Sequence, residues 1–495
     1  MKRFIVIVLA SVLTAAAAFG AADAVTRATK LYEKRHYGEA VSLLRAESGS
    51  IDQSNQGAAN LILGMAYFKN AQLHRELQQA AATATQDYLK KLAAAQGQSR
   101  SRYVDFYLGD VLLETGKAGV AAIYLEKFFG ASGVEARYRE MAKAGLGLCY
   151  YENKNMQKAQ ELWDGIDTSN PEVKFELAAV YARAGLTDKN VIGMVDESIA
   201  AMKRTGKPLS MRMMKNIISV FARTEQTDRG LDLLKHTDMK TYSYRETIGK
   251  SKIINFYDLA LLGDMAALYG QASIFHLEKA ALDPKTRDAA DFYLSQAYSL
   301  YGFLEKASKV SAAFVSTSHM PASYKDRIRV WQGANLYQKN HTLTEVVNIW
   351  DELSRKEPAD PDLLAEILFN CSRLRIECTR ITQKSTTLVE AGEGKKTAPL
   401  NIAIGKYYLG KQDTAKAASY LEAGRDKSNK NKIESNDPAM LVNLADAYYR
   451  TKKFSESLEI YFEMSKQFPE VRQIQEAMQG VYAVEHKSAG DVKIN

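Results

Sequence analysis

Cysteine, proline, tryptophan and histidine are all scarce in this chain of 495 residues, which holds 3 Cys, 9 Pro, 3 Trp and 7 His. So few cysteines exclude a disulfide-stapled scaffold, and so few prolines exclude collagen-like and proline-rich classes. Strand-like alternation is nearly absent. Beyond the N-terminal two dozen residues no apolar run approaches the ~20 residues of a membrane-spanning helix. Patterns that carry chemistry are missing as well. There is no Gly-x-Ser-x-Gly and no His-Glu-x-x-His, and Gly392-Glu-Gly-Lys-Lys-Thr397 lacks the register and preceding strand of a phosphate loop. His341 and Glu345, four apart, read as a surface contact rather than a ligand pair. The residues offer no catalytic set, no metal site and no cofactor site, so an enzyme is not expected.

What is present is an ordinary folded composition, 46% hydrophobic and 25% charged, in a chain too long for one hydrophobic core. The N-terminus reads Met1-Lys-Arg3, an apolar run from Phe4 to Leu13, an alanine stretch and a small-x-small site at Ala22-Asp-Ala24. That pattern predicts a secretory signal over 1–24, cleaved to leave a periplasmic chain. The competing reading, an uncleaved anchor, is disfavoured because its second half is mostly alanine and barely spans a bilayer. The formal charge of +8 comes from 66 basic and 58 acidic residues spread along the chain. In that compartment nucleic acid is not an expected partner, and anionic lipid, polysaccharide or an acidic protein is.

Almost every segment carries apolar residues at i, i+3, i+4 and i+7, with small residues where helices must touch. Tyr103-Val-Asp-Phe-Tyr-Leu-Gly109 is followed by Ala121, Leu125 and Phe128; Gly147 is followed by Ala159 and Trp163. Similar runs surround Ser295, Gly333, Gly405 and Ala445, the last leading to Phe454, Ser457, Tyr461 and Pro469. This pattern resembles the tetratricopeptide repeat family, whose unit of about 34 residues is an antiparallel helix pair with a small eighth residue and an alanine near the twentieth. The resemblance covers nearly the whole mature chain and implies an all-α, superhelical solenoid of stacked helix pairs, here about twelve units with Gly64 and Ala178 as further markers. The expected blocks are N-terminal repeats over 25–204, central, partly degenerate repeats over 205–390, C-terminal repeats over 391–485 and a flexible tail over 486–495. A long helix is expected over 71–95. Cys371 and Cys378 are read as lying on one helix, where a seven-residue separation of ~10 Å would keep them unbonded.

The resemblance also implies a concave groove lined by the first helix of each pair. It places Phe68, Tyr103, Phe106, Tyr151, Phe175, Phe292, Tyr337 and Tyr449 along that groove, together with Asp110 and Glu114. Aromatic residues at helical spacing serve equally well as packing between repeats. Between Ser210 and Lys252 nine cations face five acids, and Arg212, Lys215 and Arg223 fall on the groove face, where an acidic partner segment is expected. The implied function is a non-catalytic periplasmic scaffold or adaptor that holds envelope proteins together in a secretion, outer-membrane or polysaccharide export, pilus or flagellar machine. The alternative is a carrier that closes over a small apolar ligand and hands it to a transporter.

Overall fold

A computed structural model describes residues 22–96, 103–206, 209–236, 245–248, 251–254, 257–391, 398–425, 437–469 and positions 471, 474, 475, 477, 478 and 481. The expected signal segment lies outside these residues apart from 22–24, as does the expected tail. Among the described residues, 22 α-helices make up nearly all the regular structure. The first pair is α1 (Ala22–Glu33) with α2 (Tyr37–Ala46). Four more follow as α4 (Tyr103–Glu114) with α5 (Ala118–Phe129), α6 (Ala136–Glu152) with α7 (Met156–Asp164), α8 (Pro171–Arg183) with α9 (Val191–Thr205), and α10 (Met211–Arg223) with α11 (Thr227–His236). The later pairs are α13 (Arg287–Leu300) with α14 (Leu304–Thr317), α15 (Ala322–Asn340) with α16 (Leu343–Ser354), and α17 (Pro361–Leu374) with α18 (Thr379–Glu390). The last two are α19 (Ala398–Gly410) with α20 (Thr414–Gly424) and α21 (Pro438–Arg450) with α22 (Phe454–Gln467). Two long helices, α3 (Gln56–Gln96) and α12 (Tyr257–Ala280), interrupt this order. The expected long helix is therefore present and longer than read.

Each pair reverses by the same local device. One residue in the turn takes the left-handed conformation: Arg35, Gly116, Lys154, Gly185, Glu225, Gly302, His341, Arg375, Gln412 or Lys452, with φ between +54° and +83°. Except after His341, the next residue's N–H then reaches back five positions, as in Lys117 to Leu112 O at 2.8 Å and Lys453 to Tyr448 O at 2.9 Å. This is the hydrogen bond of a Schellman stop, which satisfies a carbonyl left over at the helix end. Only three of these turn residues are glycine, so the turns leave little trace in composition. The starts are plainer. Asn170, Asp360 and Asp437 cap α8, α17 and α21, each followed by proline at the first helical position.

The small eighth residue lets the second helix touch the first. A Cβ built on Gly109 would lie 2.5 Å from Leu125 Cγ, and one on Gly405 would lie 2.6 Å from Leu421 Cγ. At Gly147 and Gly333 the opposing group is a tryptophan, Trp163 or Trp350. Each indole donates to a carbonyl three residues before the glycine, Trp163 to Ala144 O and Trp350 to Val330 O, both at 3.1 Å. Burial of these side chains supplies most of the stability, roughly 25 cal/mol per Å² of apolar surface.

The described residues divide into two compact units, one within 1–73 and 272–474, the other within 74–271 and 475–495. In the first unit Gly64 does not meet a residue sixteen positions later. Its Cβ position lies 2.6 Å from Leu277 Cγ, and Ser273 Oγ donates to Gly64 O at 2.7 Å across 209 residues of sequence. The His276 ring stacks on Tyr67 with centroids 5.7 Å apart, and its Nδ1 lies 2.8 Å from Asn60 Oδ1. One pair of this unit is thus assembled from the start of α3 and the end of α12. The other unit takes the remainder of both helices, with Tyr269 edge-on to His74 at 5.1 Å and Leu268 against Gly230.

Two expectations fail locally. Cys371 and Cys378 are bonded, with Cα atoms 6.3 Å apart. They do not share a helix: α17 stops at Leu374, Arg375 turns left-handed and Cys378 begins α18, so the turn folds the separation back within disulfide reach. Cys149 alone stays a free, buried thiol. The second departure is a short antiparallel hairpin, β1 (Arg245–Ile248) and β2 (Ser251–Ile254), pairing Arg245 with Ile254 and Ile248 with Ser251. Arg245 and Lys252 of the expected basic stretch lie on these strands.

Candidate functional site: the inner and outer faces

In the unit containing α4 to α11, the first helices turn charged residues toward one another. Arg212 Nε donates to Glu176 Oε2 at 2.6 Å, and Asn216 Nδ2 donates to the same oxygen at 3.0 Å. Arg212 also stands 3.7 Å from Asp110 Oδ2 and 4.8 Å from the Phe106 ring centre. Glu114 Oε1 takes Arg183 at 2.6 Å and Lys215 at 3.1 Å. Arg223 pairs with Asp264 of α12 and with Ser219. Arg183, Arg212, Lys215 and Arg223 are matched by Asp110, Glu114, Glu176 and Asp264.

Burial and pairing compete at each carboxyl. At Glu114 burial pushes the pKa up, but Arg183 and Lys215 outweigh it and hold the group at about 2. Glu176 is likewise held at about 2, against its burial, by Arg212 and Lys215 and by hydrogen bonds from Arg212 and Asn216. Asp110 goes the other way: burial wins over Lys215 and Arg212, and its pKa is raised. Asp264 is also raised by burial despite Arg223. Each glutamate has two donors within 3.1 Å, Arg183 and Lys215 at Glu114 and Arg212 and Asn216 at Glu176, and this sum outweighs burial where the contacts of Asp110 and Asp264 do not.

This corrects the expected basic patch. Arg212 and Lys215 are 6% and 3% exposed, and the acids that face them come from α4 and α8. In sequence the stretch looks basic, but its groove-face cations Arg212, Lys215 and Arg223 are neutralised by acids of other helices. Arg223 is partly exposed and already engaged by Asp264. The aromatic candidates also separate into two groups. Phe106 packs on Phe128 and Tyr138 with centroids 5.1 and 5.5 Å away, and Phe292 packs on Phe314 and Tyr324 at 6.0 and 5.5 Å. Phe68 lies edge-on to Tyr293, Tyr449 lies against Phe454, and Phe175 is fully buried. These five are packing residues between helices. Tyr103, Tyr151 and Tyr337 keep part of their surface accessible. The Tyr103 hydroxyl accepts the Glu135 N–H at 3.1 Å.

The inner face of the other unit is aromatic, with charge confined to a few places. Arg327 and the Trp331 indole both donate to Glu366. Tyr32 of the first pair shares a hydrogen bond with Tyr293, and burial raises the pKa of both hydroxyls, Tyr293 to about 12. Asp437, at the start of α21, lies 3.6 Å from Arg35 and 3.5 Å from Lys69. His36 meets Phe468 with ring centres 5.6 Å apart. The first helix pair of this unit therefore touches the last.

Small residues opposed by leucine or tryptophan, repeated pair after pair, decide the architecture. The chain is built as tetratricopeptide-like repeats. No family model matches the sequence, and no curated protein does. Among solved structures the chain is similar to yeast Tom70, at 9% identity over 94% of this chain and 96% of that one, with a TM-score of 0.33. It is similar to the TPR domain of P58(IPK), at 13% identity over 77% and 98%, TM-score 0.19. A human IFIT1 dimer with m7Gppp-AAAA follows at 12% identity over 84% and 95%, TM-score 0.26.

Apolar side chains also face outward from the second helices. Val120 and Ile123 on α5 are 47% and 63% exposed, and Met156 at the start of α7 is 55% exposed. Between the same two helices Lys158 reaches Glu126 at 3.9 Å and covers the Tyr150 ring at 4.0 Å. The available signal was an apolar pair, Val120 and Ile123, off the stripe formed by Ala121, Leu125 and Phe128. Among the described residues no group of three or more His, Cys, Asp or Glu is placed to hold a metal ion, and no helix is long and apolar enough to cross a membrane.

Proposed function

We propose that this protein is a non-catalytic scaffold that binds other proteins along its helix pairs, outside the cytoplasm, within a bacterial envelope machine. The observation that carries the reading is the contrast between filled inner faces and exposed apolar side chains on successive second helices. Stacked pairs present an extended surface on which modest contacts add along the length. Solvent-exposed Val120, Ile123 and Met156, on helices that also carry Glu126, Lys127 and Lys158, offer apolar anchors among charged residues to a docking partner. Tyr103, Tyr151 and Tyr337 are the groove residues left available to a peptide. The location is supported by the N-terminal signal pattern and by the Cys371–Cys378 pairing, which suits an oxidising compartment.

The test is photo-crosslinking of the full chain in its native envelope, with the photoreactive residue at Ile123, at Tyr151 and, as a buried control, at Phe175. Protein adducts at Ile123 or Tyr151 and none at Phe175 are expected. No protein adduct, together with a co-purified small apolar ligand, replaces the scaffold with a carrier.

A further inference from the structure

The contact between the first and last pairs of the unit formed by 22–73 and 272–474 is built unlike its other junctions. Elsewhere successive pairs meet mainly through aromatic and aliphatic side chains, such as Phe292 on Tyr324 at 5.5 Å and Trp331 on Phe369 at 5.9 Å, with the buried Arg327–Glu366 pair among them. A continuous core joins α15 to α19 through Val330, Trp350, Ile367, Leu400 and Ile404. Where the end meets the beginning, a carboxylate with several cations around it stands beside a single ring contact, His36 on Phe468. Asp437 faces Arg35 from the turn between α1 and α2 and Lys69 from α3, and Lys406 of α19 adds to the field. The same side chain accepts the Ala439 N–H at 3.0 Å and so starts α21. Burial works against the charge, yet Lys69, Arg35 and Lys406 hold the Asp437 carboxyl at about 2. Beside it Tyr37 shares a hydrogen bond with Arg35, and His36 lies on Phe468.

We propose that Asp437 is a latch that closes this unit end to end, and that release of the latch swings the α1–α2 pair away and uncovers the inner aromatic face around Tyr32 and Tyr293. The argument is one of strength. An apolar junction is insensitive to salt and fails only when the unit unfolds. A junction held by partly exposed ion pairs is weak and screened, so it is the first to open. The side chains at the seam are about a quarter exposed or less: 23% at Arg35, 13% at Lys69 and 26% at Asp437. Salt and competing anions can therefore reach them. Tyr32 and Tyr293 are 4% exposed in the closed form, so a partner segment reaches them only through the opened seam. The inference concerns closure alone and stands whether or not the protein is a scaffold.

The experiment is amide hydrogen exchange on the full chain, comparing wild type with Asp437→Asn. Asparagine caps a helix as well as aspartate, so the substitution removes the charge while keeping the start of α21. Exchange over 22–46 should rise about tenfold, with α15, α16 and α19 unchanged. One molar salt should do the same to wild type and add little to the variant. A crosslink between His36→Cys and Phe468→Cys should abolish the rise. Unaltered exchange over 22–46, an equal rise throughout the unit, or a rise that persists in the crosslinked form would each overturn the latch.

Discussion

The two units solve the same problem, filling the inside of a stack of first helices, with opposite chemistry. The unit containing α4 to α11 brings four cations and four carboxylates together, each charge answered by another and Arg212 also lying against the Phe106 ring. The other unit fills most of its inside with aromatic and aliphatic side chains, with buried charge at Arg327–Glu366, Arg450–Asp446 and the Asp437 seam. A buried, balanced network adds little stability over apolar packing, but it punishes the loss of any one member. An apolar interior tolerates a lost ion pair at its edge.

The largest expected effect tests that asymmetry directly. Glu176→Ala strands Arg212 and Asn216 in a buried setting and should cost about 3–5 kcal/mol in denaturant unfolding. Asp437→Asn should cost no more than about 1 kcal/mol. Equal losses from the two variants would remove the contrast between the units.

The next effect is in acid, where the units should respond at different pH. His276 is held neutral, its pKa lowered to about 4 by burial and by Lys279 and Arg45, against an unfolded value near 6.5. Its contribution is therefore full above pH 6.5 and is lost as pH falls toward 4. The shift corresponds to about 3 kcal/mol. Asp291 has the opposite sign, because burial and Asp288 raise it from 3.8 to about 6 despite Arg287. Its contribution is present below pH 3.8 and is lost as pH rises through 6. Glu114 and Glu176, held at about 2 against an ordinary 4.5, lose theirs only as pH falls from 4.5 to 2. Because His276 and Asp291 lie in the same unit and oppose each other between pH 4 and 6.5, unit-resolved hydrogen exchange should show little net change there in wild type. In His276→Gln that unit should gain stability as pH falls, leaving Asp291 in control. A retained wild-type slope would assign the acid response elsewhere.

A more local effect concerns the bonded turn. Cys371→Ser opens a short loop, and a disulfide closing so few residues contributes about 2 kcal/mol. The loss should register at the α17–α18 turn under non-reducing conditions and leave the Glu176 network untouched. A change reaching α8 or α10 would show that the two interiors are not separate.

Much of the architecture was legible because it is local. Gly109 with Leu125, Gly147 with Trp163, Gly333 with Trp350 and Gly405 with Leu421 each lie within one pair, so a periodic pattern reveals both halves. Gly64 was legible as a small position but its mate was not, because Leu277 comes from a helix far along the chain. Periodicity says which face is small and never what fills it. Asp110 and Glu114 were placed on the groove, and so were Arg212 and Lys215. That they answer each other depends on the curvature of the stack, which no single repeat encodes. At Cys371 the helix stop rests on Arg375, a residue with no special liking for the left-handed region, so nothing in its identity announced the turn.

The split pair that joins Gly64 to Leu277 also sets an order of events. A nascent chain presents the first half of that pair some two hundred residues before Ser273 and Leu277, which meet Gly64, are made. Closing so long a loop is entropically costly and slow compared with folding a tandem repeat. During synthesis the segments before residue 73 must wait, exposed, while the intervening unit completes itself. That waiting period, rather than any weakness of the finished fold, is where aggregation and chaperone capture compete with assembly.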